Sequence, residues 1–218
     1  MLTIHTADLL VTGDPHNPPV PGGAVLVDGR TVAGLGSYEE LAEASPTARV
    51  RRWPGLLTPG LLNPYGPELL EHAYHPDPRE ADELGTEPLT GEALAALAPT
   101  DARRGASARR GVQRMLAHGT VAVAGDLWRP AVLDAVRRAG LTVEERFTDP
   151  AGAPTLDPLA RDGGRGLREA IVAPLAQVPG AAATFAVFDA PDEAALTARG
   201  ASCCIATVIG GRLLYRSR

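Results

Sequence analysis

The middle of the chain alternates strand-like and helix-like segments, and this order constrains the fold more than any other feature. Residues 56–63 are apolar and extended, and residues 101–118 form a helix pattern that Gly119 stops. A strand, a helix and a second strand follow at 120–124, 130–139 and 141–146. Because this order is typical of right-handed crossovers, we predict parallel β/α units here.

Both ends of the chain carry β patterns. Residues 24–27 and 31–35 are joined by Asp28-Gly29, a strong signal for a two-residue hairpin turn, and Gly210-Gly211 predicts a second hairpin. Further strands are predicted at 2–11, 49–53, 184–188, 204–209 and 212–216, and further helices at 37–44 (opened by the capping pattern Ser37-x-x-Glu40), 90–98, 167–177 (interrupted by Pro174) and 191–199. Residues 64–88 hold five prolines and many acids, which predicts a long loop, and 148–166 is loop-like as well.

Composition limits the classes of function. The 218 residues carry a net charge of -5, which argues against a nucleic-acid partner, and no apolar run reaches the roughly 20 residues that a membrane span needs. The N-terminus lacks the pattern of a signal peptide, and Cys203 and Cys204 are adjacent and cannot form an ordinary structural disulfide. We therefore expect a cytoplasmic protein without membrane or nucleic-acid partners.

Residues 59–69, which read PGLLNPYGPEL, resemble a motif of the metal-dependent amidohydrolases, the superfamily of imidazolonepropionase, cytosine deaminase and aminofutalosine deaminase. There the first barrel strand reads roughly Pro-Gly-Leu-Ile-Asn-x-His-x-His-x-Glu, and the two histidines hold the catalytic cation. Tyr65 and Pro67 stand at those histidine positions. A phenol is a poor metal ligand at neutral pH, and proline has no donor atom. The chain therefore resembles the family but lacks its two metal-binding histidines.

Other segments resemble the imidazolonepropionase-like branch: 24–36, 54–63, 111–125, 183–189 and 206–215. The resemblance implies a mixed α/β fold. Both termini would form a small composite β-sandwich from residues 1–57 and 182–218. Residues 58–181, with the long loop 64–88, would form a truncated parallel β/α region, a partial TIM-barrel-like structure.

The length does not fit an intact barrel enzyme. A closed (β/α)₈ barrel takes roughly 250 residues, whereas residues 59–182 leave room for two or three β/α units. No histidine follows His118, so the two later histidine ligands that the resemblance implies have no counterpart, and no segment matches the catalytic aspartate. The resemblance therefore implies a protein without the catalytic half of the barrel.

The sharpest metal candidate is the run from Glu71 to Asp77, in which His72, His75 and Asp77 could share zinc or another divalent cation. Pro76 and Pro78 argue against a regular helix, and a solvated acidic loop is the alternative. No cofactor is otherwise expected.

Three more side chains are candidates for a residual pocket. Tyr65 and Glu68 would lie at the mouth of a barrel, or would serve ordinary packing and surface roles. Asp126 follows the strand 121–125, where α/β proteins place ligand groups, or caps the turn before Trp128.

Two further patterns have structural alternatives. Arginines crowd the helix 101–118 and could bind an anionic partner or form a solvated face: Arg103, Arg104, Arg109, Arg110 and Arg114. Cys203 and Cys204 alternate faces of a strand, so at least one should be core, and without a neighbouring histidine neither is a convincing nucleophile.

The sequence leads to three functional hypotheses. The first is a non-catalytic amidohydrolase-like protein that binds a small molecule or a partner protein, including another copy of itself. The second is a divergent hydrolase or deaminase in which Glu68, His72, His75 and Asp126 hold zinc, and zinc-activated water attacks a ring amide or amidine. The third is an accessory subunit that completes a partner hydrolase.

Overall fold

The computed structural model describes residues 1–160 and 166–217. It has the mixed α/β fold that the sequence predicts. The strands are β1 Leu2–Thr6, β2 Leu9–Leu10, β3 Val20–Pro21, β4 Gly23–Asp28, β5 Thr31–Ser37, β6 Arg49–Arg52, β7 Leu56–Pro59, β8 Leu61–Asn63, β9 Ala73–Tyr74, β10 Leu89–Thr90, β11 Thr120–Ala124, β12 Thr142–Glu144, β13 Phe185–Phe188, β14 Cys204–Ile209 and β15 Arg212–Arg216. The helices are α1 Tyr38–Ala44, α2 Gly66–Leu70, α3 Ala81–Leu84, α4 Gly91–Leu97, α5 Asp101–Leu116, α6 Pro130–Ala139, α7 Leu167–Ala170 and α8 Glu193–Arg199, and 3-10 turns cover Pro78–Glu80 and Ala201–Cys203.

Two sheets form the sandwich. The first has the strand order β5-β4-β1-β6 and the second has the order β15-β14-β13-β7-β2-β3. In the second sheet β7 pairs with β2 on one side and with β13 on the other, so strands from both ends of the chain share one sheet. The resemblance described above implied that strands from both termini would pack together.

Side chains of β4 point alternately to two buried clusters, so this strand lies between two layers. Val25 and Val27 point into a buried cluster that includes Phe185 of the second sheet. The alternate residues Ala24 and Leu26 belong to a separate cluster that packs against α1. The Ser37 hydroxyl accepts a hydrogen bond from the backbone N–H of Glu40 and caps α1, as the capping pattern predicts.

The three-stranded parallel sheet has the order β12-β11-β8. Helix α5 precedes β11 and α6 connects β11 to β12, which confirms the predicted β/α units. Their apolar faces bury a cluster against β11 that includes Val112, Met115, Val123 and Val136. Gly60, between β7 and β8, allows the sheets to approach, because a Cβ there would lie 2.3 Å from the Val121 side chain.

In the described part of the chain the parallel strands do not close into a barrel, and β8 and β12 remain outer strands. No helix there has the length and apolar character that crossing a membrane needs. The predicted limits 1–57, 58–181 and 182–218 stay a prediction, and β7 continues without a break past residue 57.

The long loop predicted for residues 64–88 is wrong. This segment contains α2, β9, the turn Pro78–Glu80 and α3, and β9 pairs with β10. Its prolines start helices rather than prevent them, because Pro67 and Pro78 occupy first-turn positions where no N–H is needed. The proline count therefore misled the prediction.

Two smaller predictions also differ from the structure. Only Leu167–Ala170 of the predicted helix 167–177 is helical, because Ile171 is already extended ahead of Pro174. The first hairpin turns at Gly29 and Arg30, one residue later than predicted, since β4 continues through Asp28. The predicted loop 148–166 includes residues 161–165, which lie outside the described residues.

Candidate functional site

The carboxyl end of β8 is tied to a distant loop by one buried side chain. The Asn63 Oδ1 atom accepts a hydrogen bond from the backbone N–H of Tyr65 at 2.9 Å. Its Nδ2 atom donates to the carbonyl oxygens of Thr155 at 2.9 Å and Leu156 at 3.2 Å. Asn63 therefore holds the 148–160 loop over the end of the parallel strand.

A cavity of about 330 Å³ lies beneath this loop. Its walls are Pro64, Tyr65 and residues of the loop, among them Thr155 and Asp157. The Tyr65 ring is buried, and its hydroxyl donates to the carbonyl oxygen of Ala151. Tyr65, a residue predicted for a residual pocket, thus forms one wall of the cavity and anchors the opposite wall.

Asp157 is part of the cavity wall, but its carboxylate already accepts hydrogen bonds from backbone N–H groups. Its Oδ1 atom accepts from the N–H of Leu159 at 2.8 Å, and both oxygens lie 3.0 Å from the N–H of Ala201. The adjacent Gly200 has a φ of +79°, and a Cβ there would collide with Asp157 Oδ2. This aspartate fixes the loop to the turn after α8.

Glu68 lies at the same end of β8 as Tyr65 and is paired with Arg146. The Arg146 Nη1 atom lies 2.8 Å and 3.0 Å from the two carboxylate oxygens, and it also donates to the carbonyl of Pro64. The structure therefore supplies Glu68 with an internal cation, and Glu68 does not line the cavity that Tyr65 lines. Sequence reasoning missed Arg146, which is 78 positions from Glu68 along the chain.

Glu71 is the most deeply buried carboxylate near this site, with a side chain 0% exposed. Its Oε1 atom accepts hydrogen bonds from the backbone N–H groups of Trp128 and Arg129, both at 2.9 Å. Its Oε2 atom lies 3.1 Å from Arg129 Nε. The arginine plane in turn lies 4.0 Å over the Trp128 ring. The loop between β11 and α6 therefore binds one carboxylate oxygen by hydrogen bonds and faces the other with an arginine, although within the described residues neither Oε2 nor Arg129 Nε makes a hydrogen bond.

The two histidines of the predicted metal run lie in different environments. His72 is exposed, whereas His75 is fully buried against α5. The His75 Nε2–H donates to the carbonyl of Leu69 at 2.8 Å, and burial, the largest effect, lowers the pKa of this ring. A Cβ on Gly111 would lie 2.7 Å from the same nitrogen, so this glycine makes room for the ring.

Arginines of α5 hold the segment after His75. Arg110 donates to the carbonyl of His75 at 2.8 Å and to the Asp77 carboxylate at 3.2 Å. Arg103 pairs with Glu80 at 2.7 Å. A backbone N–H of Asp77, the Tyr74 hydroxyl and Arg103 together lower the pKa of Glu80 to about 2. These arginines therefore bind acids of this chain, and neither reading of the helix foresaw this.

The structure does not bring together the predicted metal ligands His72, His75 and Asp77. Within residues 1–160 and 166–217, no three histidine, cysteine or acidic side chains are placed to hold a metal ion. Asp126 is exposed in the loop after β11. The alternative zinc set, which adds Glu68 and Asp126 to the two histidines, is not assembled within these ranges either.

Neither cysteine lines the Tyr65 cavity. Cys204 is buried among apolar residues of the sandwich, as the strand alternation predicts for one of the pair, and burial raises its pKa to about 11. Burial also raises the pKa of Cys203. Both shifts disfavour the thiolate that a nucleophile needs.

Comparison with known proteins gives matches in structure only. No protein-family model matches the chain, and no curated protein matches its sequence. Among solved structures, ochratoxinase from A. niger is 22% identical with a TM-score of 0.45, over 66% of this chain and 31% of that enzyme. Aminofutalosine deaminase from Helicobacter pylori is 12% identical with a TM-score of 0.43, over 73% of this chain and 36% of that enzyme.

A third similar structure is an adenosine deaminase from Xanthomonas campestris with bound zinc. It is 17% identical with a TM-score of 0.44, over 65% of this chain and 32% of that enzyme. All three are amidohydrolase-superfamily enzymes, and the resemblance concerns the fold alone. The chain spans about a third of the length of each.

Proposed function

We propose that the protein is a non-catalytic amidohydrolase-like protein that binds a small cyclic amide or amidine in the cavity beside Tyr65. One observation carries the non-catalytic part. Glu68, Glu71 and Asp77, the carboxylates closest in sequence to the degenerate motif, each have an arginine of this chain as a partner. Charge that could attract a divalent cation is already compensated, and Tyr65 adds no metal ligand at neutral pH.

The position and size of the cavity support the binding part. It lies beyond the carboxyl end of β8, which is where open α/β sheets bind ligands. Its volume of about 330 Å³ is within the range of small-molecule sites. The Tyr65 ring, prolines and alanines make the lining partly apolar, while Thr148, Asp149 and Thr155 add polar side chains. A planar ring with amide edges suits such walls.

Uracil and cytosine are suitable probes, because they are a ring amide and a ring amidine. We expect saturable changes in the amide NMR shifts of Tyr65, Ala151 and Thr155 during titration. Tyr65→Phe keeps the ring but removes the hydroxyl that holds Ala151, so it should weaken binding severalfold. Tyr38→Phe, on the sandwich, is the matched control and should bind normally.

Each part of the proposal can fail separately in this experiment. Shifts confined to another surface, or no saturable shift with either probe, would contradict the binding site. Release of ammonia from cytosine would contradict the non-catalytic part and would favour the divergent deaminase.

A second candidate function is that the open parallel sheet pairs with another protein chain. It rests on exposed apolar side chains. β12 is an outer strand of the parallel sheet, and Val143 on it is 39% exposed. Phe147, just after it, is 84% exposed, and Trp128 is 59% exposed. Parallel sheets are normally covered, and open edges pair with other chains, so a second copy or a partner hydrolase would fit here.

Native mass spectrometry tests this candidate. We expect a dimer at micromolar concentration that Phe147→Asp converts to a monomer. The matched control is Val178→Asp, which changes an exposed apolar residue near the sandwich. A monomer across the whole concentration range, or a dimer that ignores Phe147→Asp, would overturn the candidate.

A further inference from the structure

Four arginines surround a second, smaller cavity at the open edge of the sandwich. β6 contributes Arg49, Arg51 and Arg52, and β15 contributes Arg216. The cavity has a volume of about 190 Å³. β6 and β15 are the outer strands of the two sheets, so positive charge from both sheets meets at one place.

The strand register sets the direction of the β6 arginines. Arg51 lies opposite His5 of β1, whose ring makes an edge contact with Phe185 inside the sandwich. Because side chains alternate along a strand, Arg49 shares this inner face with Arg51. Arg52 borders the cavity, but its guanidinium lies on the other face, 4.3 Å from the centre of the Tyr38 ring, so the charges that face the cavity are those of Arg49, Arg51 and Arg216.

The remaining walls hold the cavity open. The guanidinium of Arg216 lies 5.7 Å from the centre of the Trp53 ring, and this contact fixes its direction. The indole is itself buried and donates from Nε1 to His5 Nδ1 at 3.2 Å. Leu213 of β15 completes the lining. The cavity thus combines guanidinium groups with a rigid apolar floor.

These four charges have no acidic partner in the structure. No carboxylate in residues 1–160 or 166–217 lies within 4.0 Å of a guanidinium nitrogen of Arg49, Arg51, Arg52 or Arg216. Arg146 and Arg129, by contrast, pair with Glu68 and Glu71. Such a positive group is notable in a protein with a net charge of -5. The charge of Arg51 adds to the effect of burial in lowering the pKa of His5.

We propose that this arginine cavity binds the phosphate or diphosphate group of a small molecule. Guanidinium groups present planar pairs of N–H donors that match phosphate oxygens, and they are the preferred phosphate ligands among side chains. The volume suits one or two phosphate groups rather than a large ligand. The site is separate from the Tyr65 cavity and does not depend on the function proposed for it.

Titration calorimetry with pyrophosphate at constant ionic strength tests this site. We expect saturable binding of one pyrophosphate per chain. The double variant Arg49→Gln/Arg51→Gln should bind at least about tenfold more weakly, since each lost charge-assisted hydrogen bond costs about that much. Arg216→Gln gives an independent second variant if the double variant folds poorly. Arg212→Gln, an exposed change on the same strand as Arg216, should bind as the wild type does.

A second readout follows His5 by NMR. Bound pyrophosphate compensates the charge of Arg51, so the pKa of His5 should rise when the anion is present. The opposing explanation is that arginines merely keep two outer strands from pairing with other chains. No saturable binding, equal loss in Arg212→Gln, or an unchanged His5 titration at saturating pyrophosphate would support that explanation and overturn the site.

Discussion

Glu71 places a whole carboxylate inside the protein, at the end of α2. Two backbone N–H groups donate to its Oε1 atom and Arg129 lies 3.1 Å from its Oε2 atom, so its charge depends on the loop between β11 and α6. Glu68 shows the same chemistry in a more exposed setting with Arg146. At the scale of residues, each of these carboxylates is paired with an arginine of the same chain.

Glu71→Ala should lower the free energy of unfolding by about 3 kcal/mol, because it leaves buried donors and Arg129 without a partner. Glu68→Ala is the control, and it should cost less than about 1 kcal/mol because both partners reach solvent. Urea denaturation measures both values. Equal costs would show that burial does not decide the strength of these pairs.

Gly111 should tolerate no side chain. In Gly111→Ala the new Cβ would approach the His75 ring and Leu70 within 2.8 Å, so we expect a loss of about 1–3 kcal/mol. Gly105→Ala on the same helix meets its nearest atom at 3.3 Å and should be neutral or stabilising by up to about 1 kcal/mol. A stable Gly111→Ala protein would contradict the packing of His75.

His5 makes stability depend on pH. Burial, assisted by the charge of Arg51, lowers its pKa to about 4 in the folded protein from 6.5 in the unfolded chain. The unfolded chain therefore binds more protons between these values, and the free energy of unfolding should fall by about 3 kcal/mol as pH drops from 6.5 to 4. His5→Gln should remove this part of the slope. If the free energy of unfolding depends on pH in the same way in both proteins, the pH dependence does not come from His5.

At the scale of elements, α5 fixes the position of the segment between β9 and α3. Its arginines hold the segment between β9 and α3 through Asp77, Glu80 and backbone carbonyls. The hydrophobic period of α5 predicted the helix and its buried face, because that information is local. The same sequence could not show the partners of the arginines, which lie 23 to 35 positions away.

Arg110→Gln should loosen this segment without unfolding the protein. The change removes hydrogen bonds to the His75 carbonyl and to Asp77, so amide exchange of residues 75–84 should accelerate. Global stability should fall by less than about 1 kcal/mol, because the ion pair is partly exposed. Arg109→Gln, the exposed neighbour on the same helix, is the control. Identical amide exchange in both variants would contradict the role of Arg110 in holding this segment.

Long-range contacts also limited prediction of the site. Tyr65 and Glu68 were predicted as pocket residues from their place in the motif, and of the two Tyr65 lines the cavity while Glu68 pairs with Arg146. The opposite wall could not be foreseen, because Asn63 reaches Thr155 across 92 positions and Arg146 follows a different strand. Hairpins, caps and β/α order depend on neighbouring residues, and these the sequence predicts well.

At the scale of the whole molecule, a sandwich built from both termini carries three parallel strands that stay open. We propose that this protein works without a metal, with arginines compensating the carboxylates of residues 68–77. Elemental analysis of protein purified without added metal, then again after zinc loading and desalting, tests the claim most directly. We predict far less than one metal ion per chain in both samples and an unfolding temperature that chelators leave unchanged. One zinc ion per chain, lost in His72→Ala or His75→Ala, would contradict it.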